Sequence, residues 1–374
     1  MISEIRVKPV FCSSKSQSIQ VEIKAGRQRW TASVPVGTSR GEKEAKVKAF
    51  REIQRVLPKV KKAVKGKRWP EVDRELERLL PEIGGNLALG ISLASARARF
   101  SGELWKIGKP KAFPHPLINL VGGGAHGGGT DWQEFLIIPK GKDLLEEIGL
   151  GIEIWTAVGD ELRKKGILLG QNLEGAWMAK LNDLKTLDFL AEIAEDWGVR
   201  LGIDCAASQL WNGQKYSYRH VWRLFDRESH LDFLAEVVRK YRIFYLEDPG
   251  ITPEELWELR RACRKTLIVG DDVYCTNPEL LKEGIKKRGG NGVIIKPNQV
   301  GTLSLAGKAV ELARKAGWEP VPSHRSQETE DYWISDLALG WQARLIKIGM
   351  NDMPKFNRLL SLWYDFKNPK LANL

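Results

Sequence analysis

The chain has 374 residues, of which 43% are hydrophobic and 28% charged, which suits a globular protein of more than one domain. No run approaches the roughly 18 apolar residues of a membrane helix, and the N-terminus lacks a signal peptide's apolar stretch, so we expect a cytoplasmic protein without a membrane partner. Four cysteines without a CxxC pair favour free thiols, and a net charge of +12 favours anionic partners.

Residues 1–36 have the pattern of strands, with a hairpin whose turn is AGRQ. A helical pattern follows from Ser39, a candidate N-cap, to about residue 60, and two more cover 69–80 and 86–107. We therefore predict a small N-terminal α+β domain of residues 1–112, built from a three-stranded meander and helices.

The segment 108–116 has three prolines and no apolar periodicity, so the domain boundary is placed there. Strand-like and helix-like segments then alternate to the end, beginning with two strands at 116–124 and 132–141 joined by a glycine-rich connection. This alternation predicts an α/β fold, a (β/α)8 barrel of residues 113–374.

Six polar residues recur at barrel spacing, with gaps of 43, 24, 25, 28 and 23 residues. Each ends a short, mostly apolar run, and polar residues at the carboxyl ends of barrel strands face one shared mouth. The gap of 43 leaves room for an extra strand, which GQKYSYRH fits. The six residues are Asp204, Glu247, Asp271, Lys296, His324 and Lys347.

Three carboxylates followed by two lysines form the inventory of a magnesium site with an ammonium base nearby. Single aspartates at strand ends are usually caps, but three at this spacing favour metal ligands, with Asp248 and Asp272 as supporting groups. Lys296 is either a base with a lowered pKa or a structural ion-pair partner of Asp271 or Asp272.

Two segments, 56–69 and 281–290, concentrate basic residues. A solvated helix face is the favoured interpretation of both, and RNA binding is the alternative, which has no other support in the sequence.

Eight segments, in order, resemble the enolase family. The segment SHRSQETED resembles the family's SHRSGETED loop, and a weaker similarity to GDEGGFAPNL covers GQNLEGAWMAKL. The resemblance covers nearly the whole chain. The eight segments are SVPVGTSRGEKEA, NLALGISLASARA, GGAHGGGTDWQEFLIIP, LGIDCAAS, LEDP, VGDDVYCTNP, IIKPNQVGTLS and SHRSQETED.

The resemblance implies magnesium-dependent dehydration of 2-phosphoglycerate to phosphoenolpyruvate, with two Mg²⁺ in each active site and a small phosphorylated carboxylic acid as substrate.

It also implies a role for each matching position. Lys296 matches the base, Glu174 the acid and Glu134 its partner, and His126 and His324 match the two site histidines. Asp204, Glu247 and Asp271 match the ligands of the first magnesium, and Ser39 matches a ligand of the second. Lys347 matches the group that binds the substrate carboxylate, Arg325 and Ser326 match the phosphate binders, and Gln133 matches a further substrate contact.

Two loops depart from the family pattern, Val36–Arg40 and Asn172–Ala176. Arg40 stands where the family has a neutral threonine, so it either contacts the substrate phosphate, which we favour, or repels the second magnesium. Three functions stay open: enolase, an enolase paralogue acting on another 2-phospho acid, and a non-catalytic binding or regulatory protein on the same scaffold.

The family's dimer regions also depart from its pattern. We therefore expect a homo-oligomer with altered contacts, to which Leu362, Trp363 and Tyr364 contribute.

Overall fold

The structure is a computed structural model that describes residues 1–37 and 43–374. Its N-terminal part contains the antiparallel meander β1 (Ile2–Phe11), β2 (Gln17–Ala25) and β3 (Gln28–Ser33), in the order β1-β2-β3. The predicted three-stranded sheet is therefore confirmed. One face carries the apolar residues Val21, Ile23 and Ala32, which are buried against helices.

Three helices cover this sheet: α1 (Phe50–Val64), α2 (Glu71–Ile83) and α3 (Gly85–Arg99), followed by a 3-10 turn at Leu104–Ile107. Helix α3 packs closely on the sheet because its residues are small. A Cβ placed on Gly90 would lie 2.4 Å from Val21 Cγ2, so only glycine allows this approach.

The predicted helix begins later than expected, because residues 43–49 are not helical and α1 starts at Phe50, whereas Ser39 itself lies outside the described residues. The preceding residues bond to other parts of the chain instead of to a helix. The Ala45 N–H donates to Gln299 O at 2.8 Å, and the Lys48 N–H donates to Asn86 Oδ1 at 3.0 Å. The Glu52 side chain then accepts the Ala49 N–H at 2.8 Å, which caps the helix start.

From residue 115 onward strands and helices alternate. The predicted extra strand within 213–220 is present as the first strand of a short hairpin, β9 and β10. In chain order the elements are β4 (His115–Gly122), β5 (Glu134–Ile138), α4 (Leu144–Lys164), β6 (Leu168–Gln171), β7 (Trp177–Ala179), α5 (Asp183–Trp197), β8 (Arg200–Asp204), α6 (Ala207–Leu210), β9 (Tyr216–Tyr218), β10 (Arg223–Phe225), α7 (Arg227–Tyr241), β11 (Tyr245–Glu247), α8 (Pro253–Ala262), β12 (Leu267–Gly270), α9 (Pro278–Lys286), β13 (Gly292–Ile295), α10 (Pro297–Val300), α11 (Leu303–Lys315), β14 (Glu319–Pro322), α12 (Trp333–Gly340), β15 (Leu345–Ile348) and α13 (Met353–Asp365).

In the described part of the chain, eight strands close the barrel in the order β4-β5-β8-β11-β12-β13-β14-β15. Strand β15 returns to β4 in parallel register, and Ser323 and Lys347 form a parallel bridge beside β14. The (β/α) barrel is thus confirmed, with one variation. Strand β5 runs antiparallel to both β4 and β8, because the glycine-rich connection from β4 contains only a 3-10 turn at Gly124–His126 and no α-helix. The predicted division after residue 112 falls between the 3-10 turn and β4.

The six polar residues chosen from spacing lie at or within two residues of the carboxyl ends of these strands, with His324 two residues after β14. Asp204 and Glu247 end β8 and β11, whereas Asp271 and Lys296 directly follow β12 and β13. Lys347 lies within β15, one residue before its end. The spacing therefore located one mouth of the barrel.

In the C-terminal helix α13, Leu362 is buried, Trp363 packs edge-on against Phe113 and Tyr364 is 68% exposed. The expected contribution of these residues to an oligomer contact stays a prediction. All four cysteines are free and buried, as expected. Among the described helices, none has both the length and the apolarity needed to cross a bilayer.

Candidate active site

Lys347 lies at the centre of the barrel mouth among three carboxylates. Its Nζ is 2.8 Å from Glu134 Oε2, 2.9 Å from Asp204 Oδ2 and 2.9 Å from Glu247 Oε2. The strand register brings these acids together, because Asp204 is the Cα partner of Glu134 across β5–β8 and of Glu247 across β8–β11. Burial disfavours the ammonium form, but the three carboxylates outweigh it and raise the pKa of Lys347 well above its usual value.

Asp271 and Lys296 form a second buried ion pair beside the first. Lys296 Nζ contacts Asp271 Oδ2, and Gln299 Nε2 donates to Asp271 Oδ1 at 3.0 Å. Burial favours the neutral amine, but the Asp271 carboxylate more than offsets it and raises the pKa of Lys296. The ion-pair interpretation of Lys296 is therefore what the structure shows, and its role as a base is a proposal.

Glu134 and Glu174 form a pair of buried acids with opposite pKa shifts. Desolvation, together with the charges of Glu174 and Asp204, raises the pKa of Glu134 to about 7, although Lys347 opposes the shift. Glu174 is buried as well, but the charges of His126, His324 and Lys347 outweigh desolvation and lower its pKa to about 2. Near neutral pH, Glu134 is therefore the carboxyl that can hold a proton and Glu174 is ionised, and such a separation of two neighbouring pKa values is typical of an acid–base pair.

The loop of Glu174 is held rigidly even though its sequence departs from the family pattern. Asn172 Oδ1 accepts the N–H groups of Glu174 at 3.0 Å and Ala176 at 2.9 Å. Asn119 Nδ2, from β4, donates to Glu174 Oε2 at 3.0 Å. The side chains of Asn172 and Asn119 thus hold Glu174 in place.

Both predicted histidines flank Glu174. His126 Nδ1 lies 3.8 Å and His324 Nε2 lies 3.9 Å from Glu174 Oε2. Asp352 Oδ2 contacts His324 Nδ1 at 2.6 Å; burial lowers the pKa of His324, but Glu174 and Asp352 outweigh it, so the net shift is upward. The buried Nδ1 of His126 has no hydrogen-bond partner among the described residues, so it is free to bond to a ligand.

Arg325 connects the barrel mouth to the N-terminal part. Its guanidinium contacts Glu44 Oε2 at 3.2 Å and Asn298 Oδ1 at 3.3 Å, and Ser326 is buried beside it. A Cβ on Gly37 would lie 1.8 Å from Arg325 Nη2, so the backbone at the start of the loop packs directly on the guanidinium. Gln133 Nε2 donates to Asp204 Oδ2 at 3.3 Å, which places it beside the carboxylates.

Two predicted site residues, Ser39 and Arg40, lie outside the described residues. The segment that carries them is anchored on its N-terminal side by a two-way backbone bridge. The Val36 N–H donates to Gln327 O at 3.0 Å, and the Gln327 N–H donates to Val36 O at 3.2 Å.

The donor chemistry at the mouth fits a hard divalent cation. Asp204, Glu247 and Asp271 present buried carboxylate oxygens at the ends of three neighbouring strands. Desolvation and the charge of Asp204 raise the pKa of Glu247 well above its usual value, which a cation would reverse. Lys347 and Lys296 neutralise these acids in the structure.

Within the described residues, two groups of three potential ligand atoms lie within 4.8 Å of one another, and neither is the predicted set. One group is His126, Glu134 and Glu174, and the other is Asp248, Asp271 and Asp272. In the second, Asp248 accepts the N–H groups of Asp271 at 2.7 Å and Asp272 at 2.8 Å, so it positions this loop as a supporting group. The ligand set predicted from the sequence stays a prediction.

Several residues that shape the site were not identified from the sequence. The isolated polar Asn119 within the apolar run of β4 was a usable signal. Gln299 and Tyr245 bond to Asp271 and Glu247, the latter at 2.5 Å, but nothing in their local sequence marks them. Asp352 follows Lys347 by five residues, and its contact with His324 depends on the fold alone.

Comparison with known proteins gives one consistent result. Residues 110–365 match the sequence model of the enolase C-terminal TIM barrel domain. The enolase of Archaeoglobus fulgidus is 34% identical over 403 aligned positions, which cover 100% of this chain and 99% of the relative. The enolase of Picrophilus torridus is 33% identical over 401 positions (96% and 98%), and that of Pyrobaculum aerophilum is 33% identical over 394 positions (93% and 92%).

Proposed function

The chain belongs to the enolase family, and we propose that it catalyses the magnesium-dependent dehydration of 2-phosphoglycerate to phosphoenolpyruvate. The observation that carries this proposal is the division of charge at the barrel mouth. The buried Lys296 lies on one side of the mouth, in contact with Asp271. The acids Glu134 and Glu174, whose pKa values differ, lie on the other side, and the buried ammonium of Lys347 contacts Glu134.

Lys296 is the proposed base that removes the proton next to the substrate carboxylate. It follows β13, whereas Glu174 lies in the hairpin beside β4, and β14 and β15 separate the two positions around the barrel. A base and an acid at separate positions suit an elimination in which proton and hydroxyl leave from opposite faces. Lys296 must be neutral to act, so its pairing with Asp271 has to weaken before the proton is taken.

Glu174 and Glu134 together would supply the proton that the leaving hydroxyl needs. Glu134, with a pKa of about 7, is the member that holds a proton near neutral pH, and Glu174 is the ionised member. A carboxylate oxygen of Glu134 and one of Glu174 lie within 4.8 Å of each other and of a ring nitrogen of His126, so a proton can pass between the two carboxyls. Hydroxide leaves poorly without protonation, which makes this shared proton the second chemical requirement.

The substrate's negative groups have matching cations in the site. Lys347 is the proposed partner of the carboxylate and Arg325 with Ser326 that of the phosphate, with Gln133 as a further proposed contact; the buried ammonium and guanidinium groups support these roles. A magnesium ion held by Asp204, Glu247 and Asp271, with a second bound through Ser39, would stabilise negative charge that develops on the carboxylate. Arg40, in the same segment as Ser39, is the proposed additional phosphate contact.

Two variants with different expected defects test the assignment of Lys296 as base and Glu174 as acid. Lys296→Ala should abolish exchange of the substrate α-proton with deuterated water, measured by proton NMR in the presence of Mg²⁺. Glu174→Gln should block formation of phosphoenolpyruvate and still permit exchange of the α-proton, because only the departure of the hydroxyl group needs the acid. Full exchange in the Lys296 variant would contradict its role as base.

The same assay separates the two remaining alternatives. A paralogue would leave 2-phosphoglycerate unchanged but exchange the α-proton of another 2-phospho acid, and that exchange would still require Lys296. A non-catalytic binding protein would show no Lys296-dependent exchange with any such acid.

A further inference from the structure

A second cavity lies at the opposite end of the barrel from the proposed active site. Its volume is about 630 Å³, and it opens where β8, β11 and β12 begin. Its floor contains the apolar side chains of Val238, Ile243 and Phe244. Six cationic residues line it, and neither aspartate nor glutamate does: Arg200, Arg239, Arg242, Arg261, Arg264 and Lys265.

The six cations are exposed and unneutralised. Throughout residues 1–37 and 43–374, none of them forms an ion pair within 4.0 Å. Arg344, elsewhere at this end of the barrel, is paired, since its Nε lies 2.6 Å from Glu319 Oε2. In the described part of the chain, the six cations of the cavity therefore concentrate positive charge without ion-pair partners where β8, β11 and β12 begin.

Helix dipoles explain only part of this arrangement. Arg239 and Arg261 lie in the last turns of α7 and α8, where a cation is favoured by the carbonyl end of a helix. Arg200 begins a strand, and Arg264 and Lys265 lie in the loop before β12, where no such preference applies. Six like charges around one concave surface repel each other unless an anion lies between them.

We propose that this basic cavity binds an anion that carries two or more phosphate groups. A volume of about 630 Å³ lies within the range of small-molecule sites, roughly 300–1,000 Å³. One phosphate carries a charge of only about −1.5 to −2 near pH 7, so six cations match more than one phosphate. The Arg200 guanidinium lies over the Phe244 ring, 4.4 Å from its centroid, and guanidinium N–H groups are suited to bidentate contact with phosphate oxygens.

The shape of the cavity favours a small polyphosphate over nucleic acid. The cations converge on one pocket instead of forming a stripe along which a strand could extend. The basic cavity also lies at the amino ends of the three strands whose carboxyl ends carry Asp204, Glu247 and Asp271. A ligand there does not compete with the substrate, so binding and turnover can be measured independently.

Isothermal titration calorimetry on the full chain tests the proposal, with tripolyphosphate and ATP as probes and Mg²⁺ in several-fold excess. Both probes should bind, and both affinities should fall as salt is raised. Equal affinities identify the phosphates alone as the recognised group, whereas tighter ATP binding identifies a nucleotide whose base contacts the apolar floor. The double variant Arg239→Gln/Arg264→Gln should weaken binding of each probe by about ten-fold or more.

A matched variant separates local contacts from overall charge. Lys8→Gln/Arg27→Gln removes the same charge from exposed positions in the N-terminal sheet and its turn, and should change the affinity less than about two-fold. Turnover of 2-phosphoglycerate should be the same in both double variants as in the wild type, which shows that they are folded. Absent binding, or equal losses in the two double variants, would overturn the proposal. Tighter binding of single-stranded RNA than of tripolyphosphate through the same arginines would also overturn it, in favour of a nucleic-acid surface.

Discussion

Glu134→Gln tests the shared proton at the acid pair through stability instead of activity. Glutamine keeps the shape of a protonated glutamate but cannot ionise. In the wild type the folded-state pKa of Glu134 is raised from 4.5 to about 7. A raised folded pKa adds stability that is fully present below pH 4.5 and is lost as the pH rises through about 7. At about 1.4 kcal/mol for each pH unit, this interval corresponds to an upper limit of roughly 3 kcal/mol.

Urea unfolding in chelator, at pH 5 and at pH 8, measures the effect. At pH 5 the variant and the wild type should have similar unfolding free energies, because the wild-type residue is protonated. At pH 8 the variant should be the more stable by up to roughly 3 kcal/mol. The control is Glu192→Gln, an exposed change on α5 that should leave the pH dependence as it is. Parallel stability curves for the Glu134 variant and the wild type would refute the proton-sharing argument.

Three further changes probe other parts of the site. Asp271→Ala should remove the calorimetric Mg²⁺ binding that the wild type shows, and unchanged affinity would exclude Asp271 as a ligand. Lys347→Met leaves its carboxylate partners unneutralised and should lower the unfolding free energy in chelator by roughly 3–5 kcal/mol, read from the urea midpoint; a smaller loss in Mg²⁺ than in chelator is expected. Gly37→Ala should displace the Arg325 guanidinium and raise KM for the phosphorylated substrate about ten-fold, whereas Gly149→Ala, with open space at its Cβ, should leave KM unchanged.

The barrel and its mouth could be predicted because each depends on short-range sequence signals. An apolar run that ends in a polar residue recurs at the length of one barrel unit, so Asp204, Glu247 and Asp271 fell at the strand ends. The start of α1 could not be predicted, because its preceding residues satisfy a helical pattern locally. The contacts of Ala45 and Lys48 with Gln299 and Asn86 override that pattern.

The basic cavity could not be predicted from the sequence either. Only runs of basic residues that are contiguous in the sequence, such as 56–69 and 281–290, can be recognised without the fold. The six cavity cations come from three separate segments, at residue 200, residues 239–242 and residues 261–265, and only the closure of β8, β11 and β12 unites them. The pairing of Asp352 with His324 likewise joins two strand-to-helix loops that no local pattern relates.

Under the proposed assignment of metal ligands, the two buried ion pairs at the mouth would couple metal binding to substrate binding. Lys347 and Lys296 are partners of the carboxylates that are assigned to the first magnesium. A cation that takes those oxygens leaves two buried ammonium groups without partners, which is costly unless each gains an anion or loses its proton. The substrate carboxylate can serve Lys347, and loss of a proton converts Lys296 into the neutral amine that a base requires. Since such coupling is reciprocal, substrate should tighten magnesium binding by the same factor by which magnesium tightens substrate binding.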